Sequence, residues 1–178
     1  MAIYPNDASD IVRLNTCVDH ALSASKKKGG NFASYFKQEM QAHAVKRMQL
    51  ANDLRTAVKN NELFLTYQPI VDLGTDEIYK AEALIRWQHP EKGLIPPFDF
   101  IPIAEETHMI NEIGNWVFGE AIKQSIEWRQ SFDKRFQIAV NKSPIQFLDN
   151  DYHQPNWTEN LFNQPDSQNA IVVEVTEG

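Results

Sequence analysis

The sequence predicts an α/β domain built from parallel strand–helix units, and three observations lead to this prediction. Runs rich in β-branched and aromatic residues occur at 63–73, 77–87, 136–143 and 170–176. Segments with apolar residues at helical spacing lie between the second and third runs. A helix-sized stretch separates the third and fourth runs, and alternating strands and helices are typical of a parallel sheet. The 178 residues, 42% of them apolar, suffice for one medium domain, alone or with part of another.

The first thirty residues predict a turn, a helix and the C-terminal end of that helix. Turn residues at 4–9 precede the helix, and three lysines followed by two glycines end it. Its apolar positions are Ile11, Leu14, Cys17, Val18, Ala21 and Leu22. The alternating segment 31–36 is expected to form a short strand. Cys17 is the only cysteine of the chain, so we expect a small buried side chain in a reducing compartment.

Residues 37–60 contain no glycine or proline and predict a helix that connects the parts before and after it. One stripe of this helix carries Val45, Met48, Ala51, Leu54 and Val58. The runs at 63–73 and 77–87 then form a hairpin across the turn Gly74-Thr75-Asp76. After a proline-rich loop, helices are expected at 99–109 and 110–130.

The net charge of −7 is unevenly divided, with +4 on residues 1–60 and −11 on residues 61–178. The acidic part argues against nucleic acid as a partner. Its carboxylates are suited to a hard divalent cation that would in turn hold a phosphate, although a solvated acidic surface accounts for most of them whatever the function. No apolar run is long enough for a membrane span and no secretory signal is present, so we expect a soluble, cytoplasmic chain.

Polar side chains lie near the carboxyl ends of the predicted strands, where parallel β/α folds carry their chemistry. Glu82 and Arg86 belong to the second strand, Asn141 to the third, and Glu174 and Glu177 to the fourth. Two carboxylates and an amide oxygen suit a hard divalent ion, but ordinary salt bridges at strand ends remain an alternative. Arg86 shares a strand face with Glu82, where it can bind a phosphate or form an ion pair with Glu82.

Other common chemistries find no support in the residue pattern. The five histidines lack the spacing of a zinc site. Neither a glycine-rich phosphate loop nor a GxSxG nucleophile motif occurs.

Five blocks resemble, in the right order, the first half of an EAL domain, the bacterial cyclic di-GMP phosphodiesterase family. They read YQPIVDL, YKAEALIRWQHPEKGLIPPFDFIPIAEET, IGNWV, AVNKSPIQF and VVEVTE. The tripeptide that names the family is Glu82-Ala83-Leu84. The N-terminal segments AIYPNDAS and ALSASKKKGGN similarly resemble the tail of a GGDEF (diguanylate cyclase) domain.

The resemblance implies part of a TIM-like (β/α)₈ barrel with an antiparallel first strand, preceded by a helical GGDEF remnant. The implied division is a remnant at 1–36, a connector helix at 37–60 and the N-terminal half of the EAL domain at 61–178. The GGDEF loop is missing and Gly30 stands where that family often has arginine, which excludes cyclase activity for this chain. His108 stands where the EAL family commonly has glycine, and we expect it to be a harmless surface difference.

The implied reaction is hydrolysis of one phosphodiester bond of cyclic di-GMP to linear pGpG. The implied ligands of Mg²⁺ or Mn²⁺ are Glu82, Asn141 and Glu174. The implied catalytic residues are Glu82 and Glu177, the second glutamate of the ExxE element. The implied substrate-binding residues are Gln68, Leu84 and Arg86. The implied partners are cyclic di-GMP and a second copy of the chain, joined through the EAL domain or the connector helix.

Two alternatives remain beside the enzyme, namely a module that binds cyclic di-GMP without cleaving it and a linker or dimerisation element built on the helix at 37–60. The presence of every first-half ligand favours the enzyme. The aspartates of a second metal site, a lysine and a further glutamate would lie beyond Gly178. We therefore expect this chain alone to be inactive. We also expect it to self-associate through the unpaired edge of its last strand, 170–176, or through the helix at 37–60.

Overall fold

The computed structural model describes residues 1–27, 29–148 and 169–175. The chain divides into two compact units, Met1–Asn52 and Asp53–Gly178. Glu177, predicted to be catalytic, lies outside the described residues. Within the described ranges, no helix has both the length and the apolar character needed to cross a membrane.

The N-terminal part of the chain is helical. Helix α1 spans Ile11–Lys27 and helix α2 spans Gln38–Ala57, which confirms the two predicted helices. The strand predicted at 31–36 is wrong, because this segment forms bends and non-repetitive chain. A hydrogen bond of 2.6 Å, donated by Ser25 Oγ to the Phe32 carbonyl, joins this segment to α1.

Only part of each predicted apolar stripe is buried. In α1, Cys17 is 7% exposed, as expected, and its Sγ donates to the Asp7 carbonyl at 3.5 Å. Leu54 of α2 is also buried. The exposed members of the two stripes are Ile11, Val18, Leu22, Val45 and Met48. Helical spacing therefore located the helices better than it located their buried faces.

A mixed sheet forms the centre of the second unit. Its strands are β1 (Leu63–Asp72), β2 (Glu77–His89), β3 (Gly93–Ile95), β4 (Gln137–Lys142) and β5 (Ile171–Val175). The order is β1-β2-β4-β5, with β3 also paired to β2. Strand β1 is antiparallel to β2, whereas the β2–β4 and β4–β5 pairs are parallel. The predicted hairpin, the antiparallel first strand and the parallel units are confirmed, and β3 was not predicted.

Helices cover one face of this sheet. Helix α3 (Pro97–Glu106) begins with a proline in its first turn, α4 spans Ile110–Ser131, and the short α5 spans Ile145–Leu148. The core lies between α3, α4 and the strands and includes Phe100, Ile103, Val117, Phe118, Ala121, Ala81, Ala83, Ile138 and Val140. Trp87 is 0% exposed, and its Nε1 donates to Glu62 Oε2 at 2.9 Å.

Alternation along β2 places its remaining side chains on the opposite face. Ala81, Ala83 and Trp87 point into the core, so Lys80, Glu82, Leu84 and Arg86 point away from it. This second face, which we call the inner face, carries the residues predicted to be functional.

Candidate functional site

Strand register brings the predicted site residues onto the inner face. Gln68 of β1 lies opposite Glu82 of β2, and Glu82 lies opposite Ala139 of β4. Two residues further along β4, Asn141 lies opposite Glu174 of β5. Because paired residues of neighbouring strands share a face, all four polar side chains belong to one surface.

Two of the three predicted metal ligands are in direct contact. Nδ2 of Asn141 donates a hydrogen bond of 2.6 Å to Oε1 of Glu82. Within the described residues, the amide oxygen of Asn141 accepts no hydrogen bond. The third predicted ligand, Glu174, accepts at Oε1 from Lys80 Nζ at 3.4 Å. Within the described residues, no hydrogen bond joins Glu174 directly to Glu82 or Asn141.

The chemistry of these groups fits a hard divalent cation. In the described part of the chain, no group of three or more His, Cys, Asp or Glu side chains comes together as a metal cluster. The candidate is therefore the mixed set of two carboxylates and one amide oxygen. Glu82 and Glu174 are partly exposed and Asn141 is exposed, so an ion can reach them. The ligand atoms of all three side chains would be oxygens, which Mg²⁺ and related ions prefer.

Arg86 does not form the ion pair that its spacing allowed. Its Nη1 donates to the neighbouring Ile85 carbonyl at 2.8 Å, and the described residues show no pair with Glu82. A guanidinium carries five donors, so most of them remain for an anion. Leu84 separates Arg86 from Glu82 on the inner face, and its carbonyl accepts from Thr66 Oγ1 at 3.2 Å.

Two lysines, Lys80 and Lys142, lie near the site and were not predicted from the sequence. Lys80 lies on the inner face and contacts Glu174, and its position two residues before Glu82 was the available signal. Lys142 follows Asn141 but belongs to the opposite face, where it is buried with Nζ 4.6 Å from the centroid of the Phe147 ring. Burial lowers the pKa of Lys142 to about 8.

A polar cluster fixes the chain just after β2. Nδ1 of His89 accepts hydrogen bonds from the backbone amides of Glu91 and Lys92 at 3.1 and 3.2 Å. Its Nε2 therefore carries the proton and donates to Asp53 Oδ2 at 3.2 Å. Lys92 also contacts Asp53, and its hydrogen bond is the main reason why the pKa of that carboxyl is lowered. The cluster holds the end of the strand that carries Glu82 and Arg86.

Comparisons with known proteins agree with this architecture. The family described as the EAL domain matches residues 51–178. The bifunctional diguanylate cyclase/cyclic di-GMP phosphodiesterase MucR of Pseudomonas aeruginosa is 40% identical over 147 residues, which cover 83% of this chain and 22% of that protein. The cyclic di-GMP phosphodiesterase PdeR of Escherichia coli is 36% identical over 151 residues, which cover 84% of this chain and 22% of PdeR. The chain thus spans about a fifth of the length of these curated relatives.

Solved structures give the same result for the fold. The MucR phosphodiesterase in complex with c-di-GMP matches with a TM-score of 0.65 and 38% identity, over 73% of this chain and 52% of that chain. The EAL enzyme Bd1971, in a form with cAMP and cyclic di-GMP bound, matches with a TM-score of 0.62 and 29% identity, over 97% of this chain and 45% of that chain. The observed sheet with its covering helices is accordingly part of the barrel seen in these proteins. Since the family match extends over well more than half of the residues, the chain belongs to the EAL domain family.

Proposed function

We propose that this chain supplies the first part of the active site of a phosphodiesterase that hydrolyses cyclic di-GMP to linear pGpG. The observation that carries the proposal is the 2.6 Å contact between Asn141 and Glu82, with Glu174 in register beside Asn141. Relatives of similar sequence, among them NbdA and PdeR, are named cyclic di-GMP phosphodiesterases.

Three side chains would hold Mg²⁺ or Mn²⁺, namely Glu82, Asn141 through its amide oxygen, and Glu174. When bound, a divalent ion supplies Lewis-acid chemistry, which lowers the pKa of water and stabilises negative charge on a phosphate. The chain's own part is positioning, because the Asn141 amide nitrogen fixes the Glu82 carboxylate on the inner face. Glu177 is proposed as a further catalytic residue and lies outside the described residues.

The substrate would lie across the same face. Arg86 would bind one phosphate of the dinucleotide through two parallel hydrogen bonds, which a planar guanidinium can provide. Gln68 is exposed directly opposite Glu82 and offers an amide to the substrate. Leu84, between Glu82 and Arg86 on the strand, offers the adjoining apolar contact.

The test is Glu82→Ala in the full-length gene product, with pGpG release followed by chromatography. Without this ligand the cation would no longer be held where it stabilises the negative charge that develops on the phosphate. The rate of pGpG release should therefore fall by about two orders of magnitude or more. Glu127→Ala, which removes an exposed carboxylate of α4, is the matched control and should leave the rate unchanged. Cleavage by the Glu82 variant at the wild-type rate would contradict the proposal.

The activity of this chain alone and its dimerisation are separate proposals. The described residues provide a single set of three ligands, so we expect the 178-residue chain to release no pGpG. Chromatography of substrate incubated with the chain checks this, and release at the rate of the full-length product would contradict it. Light scattering on the same sample tests the expected self-association.

A further inference from the structure

We propose that Lys80 is a positioning residue of this site, which holds Glu174 in place and sets how tightly a divalent cation binds. The inference rests on the proposed function and deepens it. Lys80 lies two residues before Glu82 on β2 and points to the same inner face.

The ion pair between Lys80 and Glu174 spans three strands. Lys80 is in register with Gln137 of β4, whereas Glu174 belongs to β5, on the far side of β4. Nζ of Lys80 nevertheless lies 3.4 Å from Oε1 of Glu174. Between Gln137 and Asn141, the inner-face position of β4 is occupied by Ala139, which is 0% exposed. Its single methyl group leaves room for the lysine side chain to pass across β4.

The two candidate carboxylates are thus held by different donors. Asn141 holds Glu82 through a neutral amide, and Lys80 holds Glu174 through a charge. The side chains of Lys80 and Glu174 are 27% and 45% exposed, so this pair is less screened than one on an open surface.

The positive charge of Lys80 affects how a divalent ion binds to Glu174. An ammonium group has three donors and no acceptor, so Lys80 cannot itself be a ligand while it is charged. Lys80 contacts Oε1 of Glu174, so a divalent ion that binds Oε2 leaves this contact in place but must tolerate the nearby positive charge. Lys80 therefore orients Glu174 before the ion arrives, at the cost of weaker ion binding.

The experiment is a calorimetric titration of Mn²⁺ into the 178-residue chain and its variants. Lys80→Met removes the charge but keeps a long side chain, and its affinity for Mn²⁺ should rise about tenfold, as expected for the loss of one nearby like charge. Lys80→Arg keeps the charge and is the matched control, with an affinity within about threefold of wild type. The gain should disappear in Lys80→Met combined with Glu82→Ala.

The outcomes separate this inference from the proposed function. If Lys80→Met binds Mn²⁺ no more tightly than wild type while Glu82→Ala loses Mn²⁺ binding, the role assigned to Lys80 is wrong, but the proposed function is not contradicted. Mn²⁺ binding that Glu82→Ala leaves intact would place the ion elsewhere and overturn both. A gain in Lys80→Met that also occurs in Lys80→Arg would show that charge is not the cause and would likewise overturn the inference.

Discussion

Asn141 joins β4 to β2 diagonally, because its Nδ2 donates over 2.6 Å to Glu82, whose register partner on β4 is Ala139. The bond points the amide nitrogen at the carboxylate and leaves the amide oxygen for another ligand. A glutamate on a sheet face without a fixed partner would sample several rotamers. The hydrogen bond from Asn141 therefore holds one predicted ligand in place by means of a second.

Asn141→Asp tests this relationship. It places a carboxylate oxygen against Glu82 where the amide now donates, so the two like charges should repel. Without divalent ions the free energy of unfolding should fall by about 1 kcal/mol, and Mn²⁺ should restore it by neutralising both carboxylates. Thermal unfolding followed by circular dichroism, with and without Mn²⁺, measures both effects.

The control for that experiment is Asn141→Ala, which loses the hydrogen bond without adding a charge. Its stability should fall, and Mn²⁺ should stabilise it less than it stabilises the wild-type chain. Equal responses of the two variants to Mn²⁺ would show that position 141 does not contribute to an ion site.

Arg86→Lys distinguishes a substrate role from a structural one. The variant keeps the positive charge but loses the two-pronged geometry, so cyclic di-GMP should bind about tenfold more weakly to the full-length product. The melting temperature should stay within about 2 °C, since the hydrogen bond that Arg86 makes within the described part of the chain goes to the adjacent Ile85 carbonyl. Calorimetry and a melting curve provide both values. A large loss of stability with unchanged affinity would indicate that Arg86 is structural.

The sequence predicted the sheet and the inner-face residues because both depend on local patterns. Runs of β-branched residues located the long strands, and alternation placed Glu82 and Arg86 on one face. The three-residue strand β3 lies in a proline-rich loop and is too short to show alternation. The segment at 31–36 does alternate but forms no strand, since alternation alone provides no pairing partner. Lys80 was missed because its contact with Glu174 depends on the register of three strands.

His108 lies between α3 and α4 with a φ of 58°, in the left-handed region that favours glycine. Its side chain is exposed, as expected of a surface difference, but its backbone is strained. His108→Gly should raise the free energy of unfolding by about 0.5–1 kcal/mol. Urea denaturation measures the change. His108→Ala keeps the strain and is the control, so an equal gain in both variants would assign the effect to the side chain.

The half-buried phenol of Tyr67 makes the free energy of unfolding depend on pH in the alkaline range. Burial is the main cause that raises its pKa from 10.0 to about 12, and the charges of Glu120 and Glu127 add to the effect. Between these values the folded chain keeps a phenol proton that the unfolded chain has lost. The contribution of Tyr67 is therefore fully present below pH 10 and is lost as the pH rises towards 12.

Tyr67→Phe should remove this dependence, because it deletes the hydroxyl and keeps the edge-on ring contact with Trp128, whose centroid lies 4.8 Å away. Solvent screens the partly exposed ring and reduces the effect. Between pH 10 and pH 12, the free energy of unfolding of the wild-type chain should fall by about 1–2 kcal/mol more than that of the variant. Urea denaturation at several pH values from 9 upwards measures the difference. Tyr35→Phe, at a side chain that is 57% exposed, is the control and should follow the wild-type curve. If the Tyr67 and Tyr35 variants both lose stability as steeply as the wild type, the phenol of Tyr67 is not the group that resists ionisation.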